Sequence, residues 1–419
     1  MAEPEPDASE APAGGATQAL IVVSLGVLLA TSTWFSGTAA ARELAQIWSL
    51  SPTEAARLTS ATQWGFILGT LIYALANLAD RFDARSVFCL SALAGAACNL
   101  GFAYLSTGLW SALAFRVATG LTLAGVYPVG MKLIASWYRS GLGWRLGLMV
   151  GCLTLGTAFP YGVAALDLAL DWRALASVAS LAAAIGGLLV RFGCAEGPLL
   201  RARAKLDLRM IGRVFRHPPF RATAFGYFGH MWELYALWSM SALWLDARLT
   251  SAGPAWADRV PILAFATVAV GALGCIGGGL ISRRVGEQRV ALVALVGSGL
   301  ACAVSGLAFE LPPAVLLAFL LVWGLLVVAD SPQFSALAAR HAPPEYTGTA
   351  LTIQNGLGFL LTTVSIQLVP RFADWVGWRW AMTILVLGPW VGAYFTMRVA
   401  KLEARSDASV SEDEGAEDP

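Results

Sequence analysis

The chain has 419 residues and a mass of 44.1 kDa, with 57% of its residues hydrophobic and only 13% charged. An average soluble protein has about 45–50% apolar and about 25% charged residues. So few charges would leave a water-soluble globule of this size with large apolar patches, which excludes that class and points to lipid. A net charge of +1, from 28 Lys and Arg against 27 Asp and Glu, excludes a nucleic-acid binder, which needs a concentrated excess of cations.

Residues 1–16 are rich in Pro, Ala and acids and contain no Lys or Arg, so they lack the basic start of a signal peptide and read as a disordered cytoplasmic tail. Apolar runs follow at 17–40, 57–77, 86–106, 108–131, 144–167, 172–192, 221–245, 258–281, 289–309, 313–338, 346–369 and 378–398. Each is near the roughly 20 residues that cross a bilayer, so an all-α membrane protein of twelve transmembrane helices is expected.

The segment 193–220 contains Arg201, Arg203, Lys205, Arg209, Arg213 and Arg216, which no lipid-buried helix could hold, and reads as a cytoplasmic linker. It divides the chain into an N-terminal six-helix bundle, 17–192, and a C-terminal one, 221–400, followed by an acidic cytoplasmic tail, 401–419. With the amino terminus inside, about 20 cations fall in inside loops and tails and only Arg42, Arg57, Arg173, Arg248, Arg259, Arg371 and Arg379 fall outside. The excess of cations on one side puts both termini in the cytoplasm, and the expected location is the bacterial inner membrane.

Cys89, Cys98, Cys152, Cys194, Cys275 and Cys302 are scattered, with no Cys-x-x-Cys pair and only three His in the chain, so they read as free thiols rather than as metal ligands. No cofactor is expected. A Gly-x-x-x-x-Gly-Lys loop is absent, which argues against direct use of ATP, and no nucleophile has a recognisable base, so the chain is not expected to be an enzyme.

Phe115, Gly120 and Pro128 recur as Phe319, Gly324 and Pro332, each 204 positions later. The turn 76–85 is matched by 279–288, and Trp172-Arg173 by Trp378-Arg379. Duplicated halves joined by a polar linker are a common plan of secondary transporters, with the solute site where the halves meet at mid-membrane.

Leu78-Ala79-Asp80-Arg81-Phe82 followed by Arg85 resembles the loop between spans two and three of the major facilitator superfamily. Gly279 to Gly286 resembles the matching loop between spans eight and nine, and Arg116 followed by Gly120 resembles the Arg-containing motif of the fourth helix. The resemblance covers nearly all of 17–400 and implies that spans one, four, seven and ten face a central cavity. It also implies that Asp80, Arg81 and Arg85, with Lys132 as a partner, form a cytoplasmic gate that holds the halves together. The chain departs from the family loop at Asp83, Ala84 and Arg283. The fifth-helix motif of drug antiporters is incomplete: Gly147, Gly151, Gly156 and Pro160 are present, but Phe159 precedes the proline, which ranks efflux of drugs below transport of metabolites.

Ionisable residues deep in a span cost about 2.5–3.5 kcal/mol each on insertion scales, so each one present needs a reason. Arg116 lies about 12 Å into the fourth span and reads as a substrate anchor or the partner of a buried acid, the alternative being a structural ion pair or a hydrogen bond to helix carbonyls. In span seven, Tyr227, His230 and Glu233 recur every three residues, which is expected to place them along one helix face with Trp238 a further turn along, and the carboxylate at that depth is a candidate proton carrier, the alternative being a permanent Glu233–His230 pair. Asp330 lies about 15 Å deep in span ten where the first half has Val126, with Gln333 one turn on. Trp34, Phe35, Gln63, Trp64, Gln354 and Asn355 complete the candidate lining.

The expected function is secondary active transport of a small organic solute by alternating access, coupled to protons as a symporter. The expected partners are the solute, protons and the lipid bilayer, and the expected unit is a monomer. An uncoupled facilitator is the first alternative and a nitrate- or nitrite-like porter the second, although spans two and eight lack a mid-depth Arg. From another class, a membrane sensor or non-transporting scaffold would have no use for four mid-depth ionisable residues. Arg116 and His230 against Glu233 and Asp330 leave the sign of the solute's charge undeclared.

Overall fold

The computed structural model describes residues 13–76, 78–138, 142–166, 171–199, 211–343 and 347–414. Among them every regular element is a helix. Twelve long helices follow one another: α1 (Ala13–Thr31), α2 (Pro52–Leu75), α3 (Ala84–Leu105), α4 (Leu109–Ala135), α5 (Leu142–Ala164), α6 (Trp172–Gly193), α7 (Pro218–Leu249), α8 (Pro254–Val285), α9 (Glu287–Ala308), α10 (Pro313–His341), α11 (Thr347–Val376) and α12 (Trp378–Val399). Ten of them are long and apolar enough to cross a membrane. The other two, α2 and α7, have 24 and 32 residues and are long enough, but carry polar residues that they turn inward, Thr59, Ser60, Thr62 and Gln63 in α2 and His230 and Glu233 in α7.

Several boundaries differ from the apolar runs. Helix α2 begins at Pro52 rather than 57 because Ser51 and Glu54 form a capping box, the Ser51 hydroxyl accepting from the Glu54 amide and the Glu54 carboxylate accepting from the Ser51 amide. Helix α7 starts at Pro218, where two prolines fill the positions whose amides need no partner, and runs past 245 to Leu249. The run 17–40 is not one helix: α1 ends at Thr31 and a short helix resumes at Ser36–Ala39.

Of the expected tails and linker, residues 1–12, 200–210 and 415–419 lie outside the described residues. Ala13 to Ala16 are already helical, and a helix running from Leu387 to Glu414 carries α12 into the segment expected as the acidic tail. The start of the linker is docked rather than loose. The Glu196 carboxylate accepts from the Ala84 amide at 2.6 Å, and the Gly197 amide donates to the Ser136 hydroxyl at 2.9 Å. All six cysteines are free thiols; Cys98 and Cys152 are half-buried and the other four buried.

The internal repeat is a repeat of packing. A Cβ at Gly120 would come within 2.0 Å of the Thr62 carbonyl oxygen, and one at Gly324 within 2.0 Å of the Thr267 carbonyl oxygen. Helix α4 therefore crosses α2 as α10 crosses α8, at a backbone distance only glycine permits. Both partners are also interrupted just before the repeated proline: the helix stops at Leu123 and restarts at Tyr127 in α4, and stops at Ala329 and restarts at Ser331 in α10.

The two halves meet along α5–α8 and α2–α11. Positions where a Cβ would sit on Gly147 and Gly151 are 3.2 Å from the carbonyl oxygens of Cys275 and Ala272. Gln367 of α11 donates to the Ser60 hydroxyl of α2 at 3.1 Å. At the end of the helices remote from the 193–217 connector, Arg42 lies 3.5 Å from Asp246, one residue from each half.

Candidate functional site

Helix α7 supplies one wall of the space between the halves. At 100° per residue, Tyr227, Met231, Leu234, Tyr235 and Trp238 share one face, and all five line a small cavity of about 30 Å³, room for about two water molecules. Tyr127 of α4, Val150 and Leu153 of α5, Ser331 of α10 and Phe359 of α11 close it. Around it the aromatic side chains of the two halves touch: Trp34 lies 5.7 Å from Tyr235 and 5.8 Å from Phe359 between ring centroids, and Phe66 lies 4.4 Å from Phe359. The indole nitrogens of Trp34 and Trp238 are buried without hydrogen-bond partners among the described residues.

A series of residues at every third position drifts off one face, because each step falls 60° short of a full turn and the steps accumulate. Tyr227 faces the cavity, but His230 is turned toward α10, where its Nδ1 stands 2.8 Å from Oδ1 of Asp330. Both side chains are sealed from solvent, and the contact has ion-pair distance without hydrogen-bond alignment, while Nε2 of His230 has no partner among the described residues. Tyr227 and Phe334 flank the imidazole at 5.9 and 6.1 Å.

Glu233 is turned further round, away from the cavity. Its carboxylate accepts from the Ser298 hydroxyl at 2.8 Å, the Cys302 thiol at 3.3 Å and the Trp323 indole at 2.5 Å. It joins α7 to α9 and α10 and forms no ion pair among the described residues.

Arg116 stands apart from these three. Fully buried in the N-terminal half, it donates to the Ser36 hydroxyl at 3.0 Å, the Asn99 side-chain oxygen at 2.9 Å, and the carbonyls of Thr33, at 2.9 Å, and Trp34. The break after α1 leaves carbonyls without helical partners, and the guanidinium takes two of them, so all its Nη donors point at this half's backbone and side chains. It anchors no acid.

Gln333 is buried and its amide leans on its own helix, at 3.4 Å from the Ala329 carbonyl. Gln354 and Gln63 are buried, with the side-chain oxygen of the first and the whole amide of the second unpartnered among the described residues. Asn355 is only half-buried, and Trp64 is 45% exposed on the outer surface of α2, not part of the lining.

Of the residues expected to form the gate, Arg85 and Lys132 have the following contacts within the N-terminal half. Arg85 donates to both Asp83 oxygens, at 2.6 and 3.1 Å, and to the Cys194 carbonyl at 3.1 Å. These bonds hold the Asp83 carboxyl below its ordinary range. Asp83 also caps α3 through the amides of Arg85 and Ser86, which explains the departure from the family loop. Buried Lys132 donates to the Ala79 carbonyl, Arg81 is exposed, and the side chain of Asp80 lies outside the described residues. In the second half Glu287 and Arg340 pair at 2.7 Å, joining the start of α9 to the end of α10 as Lys132 joins its loop to α4.

Sequence reasoning missed Asn99, Tyr127, Tyr235, Phe359, Ser298, Cys302 and Trp323. Asn99 had a usable signal, a lone amide in the apolar run 86–106. The aromatic residues had none, since membrane helices also bear them toward lipid.

The model of the Major Facilitator Superfamily matches residues 22–366. The structure is similar to the xylose transporter XylE from E. coli in a partially occluded inward-open conformation, with a TM-score of 0.71 at 14% identity, covering 92% of this chain and 99% of that one. It is similar to a variant of the nucleoside transporter NupG, with a TM-score of 0.70 at 14% identity over 92% and 99% of the two chains. It is also similar to a bacterial homologue of the human lysosomal transporter Spinster, with a TM-score of 0.65 at 16% identity over 93% and 98%. In sequence, 121 residues are 29% identical to the niacin transporter NiaP of Acinetobacter baylyi, an alignment spanning 26% of this chain and only 27% of that protein. The matched family model, the duplicated helical halves and the cavity between them lead to one conclusion: this chain is an integral membrane transporter of the major facilitator superfamily.

Proposed function

We propose that the chain is a secondary active transporter that moves a small organic solute by alternating access, coupled to protons through the His230–Asp330 pair, with Glu233 as a second proton site. The proposal counts α2 and α7 among twelve membrane-crossing helices, puts both termini in the cytoplasm of a bacterial inner membrane, and takes the monomer as the working unit. Similarity to a proton:xylose symporter, a nucleoside transporter and part of a niacin transporter supports a small organic solute.

The observation that carries the coupling is the pair itself, acid and base 2.8 Å apart, sealed from water, on two of the five helices that wall the cavity. Removing such charges from water costs several kcal/mol per ion, and their attraction offsets only part of it. One proton more or less changes the net charge of the pair in a low-dielectric site, which favours a different packing of α7 on α10. Movement then follows from the small-residue contact of α5 on α8, where the halves slide without interlocking side chains. An uncoupled facilitator is the second reading, favoured by Glu233, whose three donors are those of a structural tie.

Thermal-shift screening of the purified protein against a metabolite library supplies a solute, and proteoliposome uptake with and without an imposed pH gradient decides between the two. Accumulation that follows the gradient is expected; equilibration at the same rate in both conditions selects the facilitator.

A further inference from the structure

Resting on the transport reading, we propose that the cavity between the halves takes organic monocations: an amine or quaternary ammonium group carried on an apolar or aromatic body. Two observations converge on this, the charge around the cavity and the material of its wall.

The mid-depth residues in the sequence balance two positive groups against two acids, but the structure removes Arg116 from that balance. Its Nη donors are taken by Ser36, Asn99 and the carbonyls of Thr33 and Trp34. Lys132 is likewise turned to the Ala79 carbonyl. No residue lining the cavity carries a charge. Behind the wall stands Asp330, paired with His230, while Glu233 is turned away on the far side of α7. Among the described residues, an anionic solute entering here meets no cation nearer than the His230 already held by Asp330, while a cation meets Asp330 behind the wall.

Five of the eleven lining residues are aromatic, Tyr127, Tyr227, Tyr235, Trp238 and Phe359; five are aliphatic or Met, and Ser331 is the one aliphatic hydroxyl. Ring faces are negative, and several surrounding one point attract an alkylated ammonium group that has a weakly held water shell. A sugar needs a matched hydrogen-bond partner for each hydroxyl, and this surface offers few. In the present packing Trp34 of one half occupies the rings of the other, stacked on Tyr235 and Phe359. When the halves part, those faces lose their partners, and a cation with an apolar body replaces them.

The test uses the full-length protein in maltoside detergent and isothermal titration with four probes: benzyltrimethylammonium, benzoate, nicotinate and xylose. Benzyltrimethylammonium is expected to bind about tenfold or more tighter than any of the others. Tyr235→Ala and Trp238→Ala should each weaken it about fivefold or more, whereas Tyr235→Phe, which keeps the ring face, should bind as the parent does. Tighter binding of benzoate, nicotinate or xylose, or binding of none of the four, overturns the assignment, and so does a Tyr235→Phe as weak as Tyr235→Ala. Counterflow of the same probes in proteoliposomes separates this from the transport reading. Counterflow of an anion or sugar keeps transport and overturns the cation; cation binding with no counterflow of any probe keeps the cavity and overturns transport.

Discussion

Arg116 and Asn99 form the polar centre of the N-terminal half, Nη1 of the first donating to Oδ1 of the second at 2.9 Å while the Asn99 amide holds the Ala176 carbonyl at 2.9 Å and Ser180 at 3.0 Å. Through this pair α1, α3, α4 and α6 are tied at one point. Removing the guanidinium takes a donor from two carbonyls and an amide oxygen in a dry interior, and the single hydrogen of the Ser36 hydroxyl can serve only one of them. Arg116→Ala is expected to cost about 3–5 kcal/mol, and Arg116→Lys nearly as much, because one ammonium cannot reach all four acceptors. Thermal unfolding in detergent checks this. An Arg116→Ala protein as stable as the parent but unable to bind solute would return Arg116 to the site.

Gly120 and Gly324 should respond alike, because each brings its helix against a carbonyl oxygen at the same point of the repeat. Alanine at either position needs a backbone shift, an overpacking that costs about 1–3 kcal/mol. Unfolding temperatures of Gly120→Ala and Gly324→Ala are the readout, and a neutral substitution at either one would break the equivalence of the two crossings.

For Glu233, the substitution to Gln keeps the shape and removes acceptor capacity. Ser298, Cys302 and Trp323 all donate to the carboxylate, and an amide turns two donor hydrogens toward them. A loss of about 1–3 kcal/mol is expected in thermal unfolding, and Trp323→Phe in the same background should recover part of it. Full stability of Glu233→Gln would mean that the carboxyl is already protonated and donates one of these bonds itself.

Arg42 and Asp246 link the halves at the end remote from the connector, 57% and 32% exposed in their side chains. A pair so exposed contributes only about 0–1 kcal/mol, which still shifts an even balance between two conformations by up to about fivefold. Cysteine-accessibility labelling beside Thr38 and Leu243, which line the adjacent pocket, should rise in Asp246→Arg and return when Arg42→Asp is added. The same labelling tests the gate assigned to the opposite end: Asp80→Asn should bias the protein toward the state open there, and unchanged labelling removes Asp80 from that role.

Much of this architecture was legible because it rests on local rules. The apolar runs located all twelve long helices, and the spacing of Gly120 and Gly324 marked two crossings that the structure repeats atom for atom at the carbonyls of Thr62 and Thr267. His230 and Asp330 were both singled out by the cost of burying them, though not as a pair, since their proximity depends on how α7 meets α10. For Arg116, hydrogen bonds to helix carbonyls were legible only as the alternative to a substrate anchor. Two of its four partners are carbonyls exposed by a break at Ser32–Phe35, inside a run that looks continuous by hydropathy. Trp64 shows the converse limit, for an aromatic beside Gln63 turns outward by the 100° that separates neighbours on a helix.

Proton movement through Asp330 is the most direct test of coupling. In proteoliposomes loaded with a pH-sensitive dye, adding a transported solute to the parent protein should change the internal pH. Asp330→Asn should bind the same solute and exchange it in counterflow, yet give no change in internal pH and no response to an imposed gradient. Solute-driven proton movement in Asp330→Asn equal to that of the parent would contradict the assignment of the His230–Asp330 pair as the coupling site.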